Sequence, residues 1–239
     1  MTRPFVLIPG AGGDPWYWHR VERELSNRGS DVVAVRLPAA DPEAGLADYT
    51  AAVIDAMGGS TDAVLVAQSL GGFTAPLVAA RKSVAMIVLV NAMTPKPGES
   101  PGDWWGATDL ESARREQARR DGRDLDTEDQ FADVFFHDVP AFVTEEALTR
   151  GPIDQSDGPF ALPWPPDAWP DVPTRFLQGV DDRFFPVELQ RRLVEERLGI
   201  TVDEMPGGHL LALSRPVELA DRLESYRSEL EAERLPRTE

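Results

Sequence analysis

Hydrophobic positions along the chain alternate between two patterns. Thr174-Arg175-Phe176-Leu177 reads as a strand late in the chain, and short runs with no polar residue recur before it: Phe5-Val6-Leu7-Ile8, Val32-Val33-Ala34-Val35, Ala63-Val64-Leu65-Val66-Ala67, and Val84 to Val90. Each is rich in Val or other large apolar residues and shorter than a helix needs, which predicts strands covered on both faces. Between them the apolar residues recur at helical spacing. Trp18, Val21 and Leu25 share one face of a helix expected over Trp16 to Leu25. Further helices are expected over Leu46 to Met57, from Phe73 through Ala79, over Pro186 to Leu198 with Pro near the first turn, and from Pro216 to about Leu230. Thr201-Val202 begins a last short strand, and Glu231 to Glu239 reads as a solvated tail. Buried strands alternating with helices predict an α/β fold, a mostly parallel sheet flanked by helices.

The alternation stops after Asn91 and resumes near Thr174. From Thr94 to about Pro170 there is no strand-like run, only Pro and Gly clusters, a charged helix around Leu110 to Arg120, and many aromatics: Trp104, Trp105, Phe131, Phe135, Phe136, Phe142, Phe160, Trp164 and Trp169. A structureless loop of that length is unusual, so a mostly helical cap over 94–170 is expected, inserted into a core made of 1–93 and 171–239. Its aromatics fit either a lid whose inner face lines a pocket or a small core of its own. The lid reading is preferred because the segment follows the strand after the serine turn described below.

Composition narrows the function. The chain has 239 residues, a net charge of -17, no cysteine and three histidines. That charge argues against a nucleic-acid partner and against an anionic membrane surface. The missing cysteines exclude disulfides, thiolate metal sites and a cysteine nucleophile. No run approaches membrane-spanning length, and no signal peptide is expected before the first strand. The expected location is therefore the cytoplasm. Nothing in the sequence sets the oligomeric state, so a homodimer stays open.

One turn carries distinctive chemistry. After the third apolar run come Gln68-Ser69-Leu70-Gly71-Gly72, opening a helix, with Ala67 and Gly71 two positions either side of the serine. A sharp strand-to-helix reversal holds the middle side chain above the sheet, at a helix start where negative charge is favoured, and needs small neighbours. A serine hydroxyl needs a base to become a nucleophile, and the base needs an orienting carboxylate. In an open parallel sheet such groups collect beyond the carboxyl ends of the strands. Ser69, the pair Asp181-Asp182 and His209 all fall there; His19 lies in a helix and His137 in the insertion, both read as structural or peripheral. The oxyanion of an acyl-transfer step would be met by the N–H of Leu70 and of Ala11 in the loop Pro9-Gly10-Ala11-Gly12-Gly13. That loop lacks the lysine and Mg²⁺-ligand pattern of a phosphate-binding loop.

With these motifs in view, the chain resembles the α/β-hydrolase superfamily over essentially its whole length. It is most similar to the small branch of plant methylesterases, salicylate-binding esterases and hydroxynitrile lyases. The likeness rests on Phe5 to Gly13 with Trp16 and Trp18, on Gln68-Ser69-Leu70-Gly71-Gly72, and on Gly207-Gly208-His209. The resemblance implies Ser69 as nucleophile, His209 as base, and Asp182 rather than Asp181 as the orienting acid, since Gly179-x-x-Asp182 followed by Pro186 matches the superfamily pattern. There are departures: Pro9 stands where a His is usual, Ala67 replaces the first elbow Gly, and Gln68 replaces a common His. The lyases of this branch carry Thr at the position of Gly10 and Lys after the catalytic His, where this chain has Leu210. Their chemistry therefore loses support.

The expected activity is a serine hydrolase cleaving a carboxylic ester or related acyl compound of a small hydrophobic or aromatic substrate. No metal or organic cofactor is expected. The pocket is expected to use Gly10, Gln68, Trp104, Trp105, Phe135, Phe136 and Leu210. Two rivals stand beside this reading. One is a C–C bond hydrolase, lyase or cyclase-like tailoring enzyme on the same triad, separable by product analysis. The other is a ligand-binding receptor, separable by measured turnover.

Overall fold

The computed structural model describes residues 3–123, 125, 130–151 and 154–234. Six strands, β1 (Phe5–Ile8), β2 (Val32–Ala34), β3 (Val64–Gln68), β4 (Met86–Val90), β5 (Thr174–Gly179) and β6 (Val202–Met205), form one sheet in the order β2-β1-β3-β4-β5-β6. Every pairing is parallel. Ile8 is level with Ala67, Val90 with Leu177 and Gly179 with Met205. The loops after β1, β3, β5 and β6 therefore open on the same edge of the sheet.

Helices cover both faces. They are α1 (His19–Asn27), α2 (Leu46–Met57), α3 (Gly71–Ala79), α4 (Pro101–Ala107), α5 (Leu110–Arg120), α6 (Gln130–Phe135), α7 (Ala141–Thr149), α8 (Gly158–Ala161), α9 (Val187–Leu198), α10 (Leu211–Ser214) and α11 (Pro216–Arg234). Successive side chains of β3 and β4 point to opposite faces. Leu65, Ala67, Ile87 and Leu89 pack with Tyr49, Val53 and Phe73. Val64, Val66, Met86, Val88 and Val90 pack with Trp18, Leu25, Leu219 and Leu223. Two apolar faces demand strands without polar alternation, which is the pattern in the sequence.

Two boundaries differ from expectation. The first helix begins as a 3₁₀ turn, Pro15–Trp18, because the Asp14 carboxylate accepts the Trp16 N–H at 3.0 Å and Pro15 opens the turn. The last helix runs to Arg234 rather than ending near Leu230. Of the tail expected over Glu231 to Glu239, residues 231–234 thus belong to the helix, and 235–239 lie outside the described residues.

The connection from β4 to β5 contains α4 to α8 and, among the described residues, no strand. Its start is fastened to the core. Glu99 makes a two-point ion pair with Arg197 of α9, at 2.6 and 3.0 Å, and both side chains are nearly inaccessible. A buried charge pair needs such geometry and an added hydrogen bond; Arg197 supplies one to the Thr94 carbonyl.

Candidate active site

β3 ends at Gln68 and α3 begins at Gly71, so the chain reverses within two residues. Ser69 takes a left-handed conformation, φ 51°, which costs a non-glycine residue about 1–3 kcal/mol. The neighbours explain how the turn is held. A Cβ on Gly72 would run into the Met93 carbonyl oxygen, and one on Gly71 would sit 3.1 Å from the Pro9 carbonyl oxygen. The Met93 N–H donates to the Ser69 carbonyl at 3.0 Å. Backbone packs against backbone on both sides, so only this turn fits. Leu70 is buried, and Ala11 is an exposed residue of the loop after β1, whose Gly10 lies against Gln68 and Ser69.

The loops after β5 and β6 bring Asp182 and His209 together. Asp182 Oδ2 is 2.8 Å from His209 Nδ1 and also accepts from Gln178 Nε2 at 3.2 Å. Its Oδ1 accepts the N–H groups of Phe184 and Phe185, at 2.8 and 2.9 Å. A carboxylate only accepts, so Nδ1 carries the proton and neutral His209 keeps a lone pair on Nε2. Asp181 does something else: its carboxylate accepts the Gly207 N–H at 3.0 Å and its own N–H donates to the Gly207 carbonyl at 3.0 Å. It fastens the His209 loop without touching the ring. Phe184 and Phe185 set their rings edge-on to the imidazole, each 5.0 Å away.

His209 Nε2 has a partner of its own. Gln68 Nε2 lies 3.0 Å from it, so the amide donates to that lone pair. Gln68, Ser69 and His209 are all buried, with Ser69 8 % and His209 2 % exposed.

Beside Gln68 opens a cavity of about 980 Å³. Of the residues expected in a pocket, Gly10, Gln68, Phe136 and Leu210 line it, as does Ala11. Leu37, Leu148 and Leu213 extend its apolar wall, and Tyr17 adds a hydroxyl that accepts the Ala212 N–H at 3.4 Å. Burial pushes the Tyr17 phenol well above its usual range, with the negative charges of Asp182 and Asp138 acting the same way, so it stays neutral.

Trp104, Trp105 and Phe135 do not line this cavity, contrary to the sequence reading. Trp104 is 0 % exposed within the main core, tilted against Phe185, with its indole N–H on the Thr94 carbonyl at 3.1 Å. Ser100 caps α4 and Pro101 opens it, which aims the Trp104 face inward. Trp105 packs on Phe184, 5.5 Å between ring centres. Phe135 packs on Phe184 at 4.7 Å and reaches His209 edge-on at 5.5 Å, behind the ring rather than in the cavity.

Two residues that hold the site were missed from the sequence. Asn91, at φ 45° just past β4, donates to the carbonyls of Gly208 and His209 at 2.9 and 3.1 Å and accepts the Gly179 N–H at 2.7 Å. A polar residue ending a buried apolar run was the available signal. Asp138, in the β4–β5 connection, accepts the Gly208 N–H at 2.8 Å. Nothing local marks it. His137 beside it faces Gly208, and burial first, then the Arg183 charge, lowers its pKa. His19 places Nδ1 2.6 Å from the Trp16 carbonyl. Among the described residues, no cluster of three or more His, Asp or Glu could hold a metal ion. No described helix is long and apolar enough to cross a membrane.

The model of the alpha/beta hydrolase family matches residues 5–222. The chain belongs to that family. A probable esterase, PIR7A, from Oryza sativa subsp. indica is 26 % identical over 255 aligned residues, covering 92 % of this hydrolase and 94 % of that protein. Among solved structures, a pyrethroid hydrolase from Sphingobium faniae superposes with a TM-score of 0.73 at 22 % identity, covering 95 % of this chain and 98 % of that one. The methylesterase MES16 from Arabidopsis superposes with a TM-score of 0.73 at 17 % identity, covering 95 % and 100 %. At such identities these structures speak to the fold.

Proposed function

We propose that this family member is a serine hydrolase that cleaves a carboxylic ester with a bulky apolar portion. The observation that carries the reading is the Asp182–His209 pair at 2.8 Å, on loops adjoining the strained Ser69 turn. Ser69 Oγ attacks the ester carbonyl while His209 Nε2 takes its proton. Asp182 holds the Nδ1–H tautomer and stabilises the imidazolium. The N–H groups of Leu70 and Ala11 meet the oxyanion, where each such donor is worth roughly 10²- to 10³-fold in rate. His209 returns its proton to the leaving alcohol, and water releases the acyl group by the same route. The cavity of about 980 Å³ beside Gln68 receives the apolar portion, with the β4–β5 connection as its lid. The esterase and methylesterase names of the relatives support this chemistry.

The test is a series of p-nitrophenyl esters of graded acyl length, run with Ser69→Ala alongside. Loss of the nucleophile should lower kcat by roughly 10⁶-fold, and a fluorophosphonate should label Ser69 alone. Retention of more than about 1 % of kcat, or labelling elsewhere, would sink the reading. Asp182→Asn should cost roughly 10⁴-fold by stranding the wrong tautomer, and Asp181→Asn far less.

A further inference from the structure

Gln68 stands between the cavity and the reacting groups. Its amide occupies the His209 Nε2 lone pair at 3.0 Å. The cavity wall includes Gln68 and Gly10, while Ser69 and His209 are not among its lining residues. The fit is close on the other side as well: a Cβ at position 10 would lie 2.5 Å from Gln68 Oε1 and 2.8 Å from Ser69 Cβ. Glycine at 10 is what lets the carboxamide lie between the β1 loop and the imidazole.

A base whose lone pair accepts from an amide cannot at the same moment take a proton from serine. We propose that Gln68 governs this enzyme's reactivity as a positioning residue: it caps His209 in the resting state, and a substrate entering from the cavity must displace it before Ser69 can be activated. The inference rests on the ester-hydrolase reading above. It assigns the residue before the nucleophile a restraining role. Substrates that fill the cavity up to Gly10 push the carboxamide aside, while small esters react only in the fraction of molecules whose carboxamide has swung away unaided. Gln68 thus favours substrates that engage the whole cavity over small ones.

Two variants separate bulk from hydrogen bonding. Gln68→Met keeps the length and removes the amide; Gln68→Ala removes both. Diisopropyl fluorophosphate is the probe of Ser69, and p-nitrophenyl acetate is the small substrate. Each variant should label faster than the parent, and turn over the acetate faster, by about twofold to tenfold, the equilibrium worth of one ordinary hydrogen bond. The ratio of kcat/KM for a long-chain ester to that for acetate should fall in both. Independently of activity, the Nε2 nitrogen resonance of ¹⁵N-labelled His209 in neutral solution should move downfield in Gln68→Met as its lone pair is released. Labelling that is unchanged or slower in both variants overturns the proposal, since Gln68 would then be neutral or helpful to catalysis. An unmoved nitrogen resonance overturns it too. If Ser69 of the parent enzyme is never labelled, the hydrolase reading fails instead, and the resonance still decides whether Gln68 caps the ring.

Discussion

The β4–β5 connection behaves differently at its root and along its arm. At the root, Trp104 and Trp164 are 0 % and 1 % exposed and belong to the same cluster as β3 and β4. Along the arm, Phe131, Phe142 and Leu148 are largely exposed, while Val139 and Val143 pack against Leu213 of α10. Elsewhere the arm also makes polar and ring contacts at the surface. Trp16 donates to Glu146 at 3.1 Å, Arg150 pairs with Asp14 at 2.8 Å, and Arg20 lies over the Phe142 ring. Such exposed contacts are each worth little, about 1 kcal/mol or less. The same residue type, an aromatic in one insertion, thus does structural work at one end and lines or borders the cavity at the other. What separates the two is the surface each ring meets.

Substitutions at four positions would sharpen or break this contrast. Trp104→Ala should be the most damaging, lowering stability by about 3–5 kcal/mol in denaturant titration while leaving kcat per folded molecule near the parent value. A small loss there would mean that the root is not core. Phe136→Ala should leave Tm nearly unchanged and lower kcat/KM for a bulky ester by about 1–3 kcal/mol relative to an acetate. Equal losses for both esters would mean that the arm does not contact substrate. Asp138→Ala strips the acceptor from the Gly208 N–H, one residue before His209, and should lower kcat by roughly tenfold with little change in KM, at a cost of about 1–3 kcal/mol for the stranded donor. Asp138→Asn, which retains an oxygen acceptor, should recover most of that loss. Phe142→Ser, at a ring 66 % exposed, should change stability by no more than about 0.5 kcal/mol and activity not at all.

Much of the fold was legible because it depends on local periodicity. Leu46–Met57 and Leu110–Arg120 form helices over the expected residues, and the apolar runs around β1, β3 and β4 form buried strands. The Ser69 turn was legible for the same reason: small residues on either side of a serine, between a strand and a helix, describe a local steric problem with one solution. The aromatics were not. Trp104 and Phe136 look alike in the sequence, yet one fills the core and the other lines the cavity. Their neighbours in the chain carry no information about which surface each will meet.

The sequence by itself determined most of the strands and helices and the strained serine turn, since each follows from residues close in the chain. Only the tertiary structure decided that β4 lies between β3 and β5, that Asn91 ties the loops after β5 and β6, that Asp138 holds Gly208, and that Gln68 covers His209 Nε2. Those contacts join residues 70 positions apart in one case and 141 in another. A hydrogen bond requires a donor and an acceptor within about 3 Å and in line, and such a meeting is set by how whole elements pack. The hydrophobic pattern fixes which face of each element is buried, and leaves open which polar atoms then come within reach.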